Sequence, residues 1–186
     1  MIKVSLSFRI MSMRLADLIG IGCGLLAALF VASGVPKIRR PFELAIALVR
    51  FGIVRRVRPG LGRLLGAVEV AIGLAVALSP VLFPVSIAAL LLLVAFTAVV
   101  VRSLAAGQSV ECACFGTGER TSMSTVIRNL VLIGVALFVA FAPGVPTTDQ
   151  RISGILVGTL LTCGYLLISS LAVLKPFSVQ LDGQRR

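Results

Sequence analysis

The sequence contains no histidine and no tryptophan, and a single tyrosine, Tyr165. Charge is scarce too: 13% of the 186 residues are charged, against about a quarter in soluble domains. Each shortage closes off a class of function. So small a charged fraction does not suit a water-soluble domain, and the excess apolar surface has to face lipid. Without histidine, a structural zinc site would need four convergent cysteines, and the four present are scattered; no metal is expected. Ten-residue segments of alternating polarity are missing, which argues against a β-barrel. A net charge of +11 would suggest nucleic acid in a soluble protein. No basic stripe with interleaved aromatics is present, so nucleic acid is not expected as a partner. The basic residues lie between apolar runs and read as flanks that meet anionic membrane lipid. Neither a repeat nor a linker interrupts the chain, so residues 1–186 read as a single integral membrane domain.

What is abundant is apolar sequence, 58% of residues, with a mean hydropathy of +1.09. Five runs stand out, at about 18–35, 62–79, 82–101, 125–142 and 152–174. Each is near the roughly 20 residues that carry an α-helix across the hydrocarbon layer. Helices are required because lipid offers no partner for free backbone groups. The expected fold is an all-α, multi-pass membrane helical bundle with about five transmembrane helices. The first run follows a basic stretch in the manner of a signal sequence, and is kept as a span. Pro80, Pro84, Pro143 and Pro146 mark two short turns. The connection 36–61 is longer, and its middle, "FELAIALVRFGIV", reads as a short amphipathic segment at the membrane interface. "GRLLG" (62–66) and "GILVG" (154–158) put glycines four apart on one helix face, which predicts close helix packing.

The other long connection, 102–124, carries "SVECACFGTGER", with Cys112 and Cys114 one residue apart. A thiol reacts as its thiolate, which nearby cations favour; Arg120 and Arg128 are close in sequence, although Glu111 and Glu119 oppose them. A disulfide across one intervening residue closes a small ring, and strained bridges are the exchangeable ones. Cys23 and Cys163 lie within spans and read as small apolar packing residues. Ionisable residues inside spans are costly and mark candidate sites. Glu69 lies about two turns into the second run, Arg128 and Asn129 open the fourth, and Lys37 closes the first. Counting five spans puts all four in the same membrane half as Cys112 and Cys114. A purely structural reading remains beside the functional one, in which Glu69 pairs with Lys37 or Arg128 to fix helix register.

"ECACFG" followed by "RNLVL" resembles the cysteine signature of the methylamine utilisation MauE family, among the wider DoxX-like membrane proteins. The lysine ending span one ("ASGVPKIRRPFE") and the glutamate in span two ("GAVEVAIGLAVAL") extend the resemblance over roughly residues 15–140. Ala113 stands where the family commonly has glycine. The resemblance implies a four-helix core, similar to that of vitamin K epoxide reductase and DsbB, plus one helix, in a bacterial cell membrane. It implies redox work beside a thioredoxin-like partner, in maturing disulfide-containing proteins of the methylamine dehydrogenase type. Carried over residue by residue, Cys112 and Cys114 become the exchanging pair, and Lys37, Glu69, Arg128 and Asn129 the supporting polar shell. No cofactor is certain; a quinone is the candidate.

Two other readings stay open: a non-redox assembly or scaffold subunit of a membrane complex, and a quinone- or small-solute-binding protein in which Glu69 lines a cavity. Tyr165, in the same half of span five, reads first as aromatic packing and second as part of such a cavity. Orientation is pulled two ways. The arginine count places the 36–61 and 102–124 connections in the cytoplasm, whereas an extracytoplasmic partner requires them outside.

Overall fold

The computed structural model describes the backbone over residues 2–50, 52–106 and 123–183, with side chains over 14–50, 52–106 and 123–168. Every regular element among the described residues is helical: α1 (Ile2–Arg39), α2 (Pro41–Arg50), α3 (Pro59–Leu78), α4 (Leu82–Ala105), α5 (Met123–Phe141) and α6 (Thr148–Gly183). Five stretches are long and apolar enough to cross a membrane: Arg14–Arg39, Pro59–Leu78, Leu82–Ala105, Met123–Phe141 and Thr148–Ile168. The all-α, five-span expectation holds.

The helices outrun the apolar runs. α1 does not stop at residue 35 but continues through Pro36 to Arg39. Proline removes one amide hydrogen, a loss that membrane helices tolerate where neighbouring groups make it good, and the amide of Arg40 donates back to the Pro36 carbonyl at 2.7 Å. α3 starts at Pro59, a residue suited to the first helical turn. Glu69 therefore lies roughly 15 Å along its helix at 1.5 Å per residue, nearer mid-span than the apolar run alone suggests.

α1 is the central post. More than half of its spanning window is buried (56%), against 17% for α6, and it packs along both α3 and α6 while also meeting α2 and α5. Glycine makes the two long contacts possible. A methyl group built on Gly20 would stand 2.5 Å from the carbonyl oxygen of Gln150, and Gly24 meets Gly154 and Gly158 backbone to backbone. On the other side Gly34 and Gly66 face each other, with a built Cβ 2.6 Å from the opposite carbonyl. Gly62 rests against the backbone of Pro41. Both glycine pairs read from the sequence are thus packing surfaces. Their partners on α1, Gly20, Gly24 and Gly34, were not singled out.

The 36–61 connection does contain a short helix. α2 buries Pro41, Leu44, Ala45 and Ala47 and packs on α3. At the opposite end of the bundle the turns are fixed by side chains. Thr147 and Gln150 form a reciprocal capping pair at the start of α6, Thr147 N–H to Gln150 Oε1 at 2.9 Å and Gln150 N–H to Thr147 Oγ1 at 3.4 Å. Arg151 donates through Nη1 to the Ser79 carbonyl at 2.6 Å, tying α6 to the end of α3. Phe83 and Phe141 meet edge to face, centroids 5.7 Å apart, closing α4 on α5.

Candidate functional site

A carboxylate and an ammonium are tolerated inside an apolar bundle only together. Glu69, on α3, is 1% exposed, and Lys37, in the last turn of α1, is 2% exposed. Lys37 Nζ donates to Glu69 Oε1, so the two charges neutralise each other directly. Ser33, one turn before Lys37 on the same face of α1, completes the cluster. It accepts from Lys37 Nζ at 2.9 Å and donates to Glu69 Oε2 at 3.0 Å. Both carboxylate oxygens are thereby held. The ammonium also lies 4.5 Å from the centroid of the Phe96 ring, a cation–π contact strengthened by the burial of Lys37. The close approach of Gly34 to Gly66 brings α1 and α3 near enough for the pair to form.

Arg128 and Asn129 come from the first two turns of α5. Of the two partners that sequence reasoning offered Glu69, the structure selects Lys37; Arg128 instead donates through Nη1 to the Tyr165 hydroxyl on α6 at 3.1 Å. Its guanidinium carbon is 5.8 Å from the Tyr165 ring centroid. Tyr165 is therefore a polar partner of the site rather than simple aromatic packing. Asn129 is buried at 7% exposure.

All four residues of the expected polar shell line one cavity of about 50 Å3, together with Ser33 and an apolar wall that includes Phe30, Leu93, Phe96 and Leu132. The cavity lies between the C-terminal ends of α1 and α4 and the N-terminal half of α5, with α3 closing it through Glu69. Its volume suits a few water molecules among polar partners; a cavity that takes a benzene ring is about 150 Å3. Ser33 and Phe96 were missed by sequence reasoning. Ser33 had a legible signal, the i, i+4 spacing to Lys37; Phe96 had none, one aromatic in a uniformly apolar helix.

Cys112 and Cys114 lie outside the described residues, in the segment that connects Ala106 to Met123. Of the other cysteines, Cys23 is buried at 3% exposure, as expected of a small core residue. Cys163 is not packed inside; it is exposed on the outer face of α6. The reason is the glycine contact, since Gly154, Gly158 and the buried Thr162 take the inward face of α6. Among the described residues, no group of three or more histidine, cysteine or carboxylate side chains is placed to hold a metal ion.

With this geometry in hand, comparisons with known proteins give a consistent answer. The family described as methylamine utilisation protein MauE matches residues 15–142. The methylamine utilization protein MauE of Paracoccus denitrificans is 33% identical over 165 residues, covering 81% of this chain and 84% of its own. No solved structure matches. The matched region runs from the first turn of the α1 span to the end of α5, and so takes in every residue that lines the cavity; Tyr165, which contacts Arg128 from α6, lies beyond it. The chain is a multi-pass integral membrane protein that belongs to the methylamine utilisation MauE family.

Proposed function

We propose that the chain is a membrane thiol–disulfide exchange protein that serves methylamine utilisation. Cys112 and Cys114 cycle between dithiol and disulfide with a thioredoxin-like partner, supporting the maturation of disulfide-containing proteins. Exchange conserves electrons: the disulfide lost by one protein is gained by the other, through a mixed disulfide formed by thiolate attack. The observation that carries the reading is the convergence of Lys37, Glu69, Arg128 and Asn129 on one cavity. It lies at the end of the bundle where α4 stops and α5 starts, the two helices that the cysteine segment joins covalently. A scaffold protein has no need to bury a neutralised lysine–glutamate pair there, because a well-packed apolar pair would hold the helices equally well.

The test is acid-quenched thiol trapping in native membranes. Cys112 and Cys114 are expected in both oxidised and reduced forms, their ratio following the redox state of the partner. Cys112→Ser is expected to accumulate a mixed disulfide through Cys114. A pair locked in one redox state, with the partner unaffected by Cys112→Ser, rejects the proposal and favours the scaffold role.

A further inference from the structure

Between α2 and α3 the chain concentrates positive charge. Arg55, Arg56 and Arg58 line a recess of about 290 Å3 with Val54 and Leu61. All three arginines are exposed, and neither ion pair found among the described residues, Lys37–Glu69 or Arg40–Glu43, involves them. Three guanidiniums around one recess suit an anionic occupant. The surroundings say which kind. α2 is apolar on two sides: its inner side is covered by the bundle, whereas Phe42 and Ile46, one turn apart, stay exposed, as do Ile53 and Val57 on the way to the recess. A free phosphate would satisfy the arginines and leave these side chains bare. A phospholipid satisfies both.

We propose that the recess formed by Arg55, Arg56 and Arg58 binds the phosphate of an anionic phospholipid whose acyl chains cover the exposed side chains of Phe42, Ile46, Ile53 and Val57. The segment then acts as an interfacial shelf, with its apolar side in the acyl boundary and its charges at headgroup level. This site is separate from the thiol chemistry and stands or falls without it.

Binding of fluorescent phosphatidylglycerol to the purified full-length protein in neutral detergent tests the proposal, with phosphatidylcholine and inorganic phosphate as competitors. Each arginine near a headgroup contributes about fivefold in affinity, so Arg56→Gln is expected to weaken binding roughly fivefold and the triple glutamine variant about 100-fold. Arg102→Gln, an exposed arginine outside the recess, is expected to leave binding unchanged. Helical content by circular dichroism checks that each variant folds; should the triple variant fail that check, the three single variants carry the test. Wild-type affinity in the arginine variants overturns the proposal, as does equal binding of phosphatidylcholine. Displacement of the lipid by millimolar inorganic phosphate assigns the recess to free phosphate instead.

Discussion

Lys37 and Glu69 each depend on the other for being inside the bundle at all. Removing one partner strands a buried charge, which costs about 3–5 kcal/mol, whereas replacing both with apolar residues of similar volume is often neutral. Lys37→Met and Glu69→Leu are each expected to lower thermal stability sharply, while Lys37→Met/Glu69→Leu is expected near wild type. The absence of tryptophan rules out the usual fluorescence readout, but Cys23 offers a better one. In a background with Cys112, Cys114 and Cys163 changed to serine, only the buried Cys23 remains to react with a thiol dye on unfolding. The same double variant with its cysteine pair intact separates the two roles of the cluster. If the pair serves exchange, the protein folds but loses its coupling to the partner; retained coupling reduces Lys37–Glu69 to a register pin. These residues were legible because a charge in an apolar run is conspicuous. The choice between Lys37 and Arg128 as partner of Glu69 was not, since it turns on the α1–α3 glycine contact and on Tyr165 holding Arg128 from α6.

Among the helices, the contact of α1 with α6 depends on the absence of side chains. Lipid supplies no hydrophobic drive between helices, so close backbone approach and dispersion have to hold them. Gly154→Ala places a methyl group into the backbone of Gly20, whereas Gly164, on the same helix, has nothing within 4 Å of an added Cβ. Gly154→Ala is expected to destabilise the protein by about 1–3 kcal/mol through overpacking, and Gly164→Ala to have no such cost. Dye reactivity of Cys23 on heating reads both, and equal stability of the two variants contradicts the close α1–α6 contact. The α6 half of this contact was legible as "GILVG" in the sequence, because glycines four apart share a helix face. Its α1 half, Gly20 and Gly24, lies in an equally regular spacing but inside a run whose apolar character dominated the reading. Helix ends were less legible still. Apolarity marks where lipid is, but hydrogen bonding decides where a helix stops, so α1 runs past Pro36 and α3 begins before Gly62.

Across the whole molecule, one cavity constrains topology. Lys37 ends α1, Phe96 and Val100 lie in the C-terminal half of α4, and Arg128 and Asn129 open α5, yet all line the same space. The ends of α1, α4 and α5 that carry them must then occupy one membrane half, as five alternating spans require. The arginines of the α2–α3 connection leave the membrane on that side, and so do Ala106 and Met123, the described residues that flank the cysteine segment. Val145, exposed in the turn between α5 and α6, belongs to the other side. In a background free of other reactive cysteines, Arg56→Cys and native Cys112 are expected to react with an impermeant maleimide from the same side of a sealed membrane, and Val145→Cys from the opposite one. The expectation does not depend on which side is cytoplasmic, so it tests, apart from the charge rule, whether α3, α4 and α5 cross. Labelling of Arg56→Cys and Val145→Cys from one side would mean that one of α3, α4 and α5, the three spans between them, does not cross. For the proposed exchange, the side on which Cys112 reacts also fixes where a partner would work: reaction with the external reagent in intact cells would place a thioredoxin-like partner outside the cytoplasm, against the arginine count, because a water-soluble domain can meet a thiol only in its own compartment.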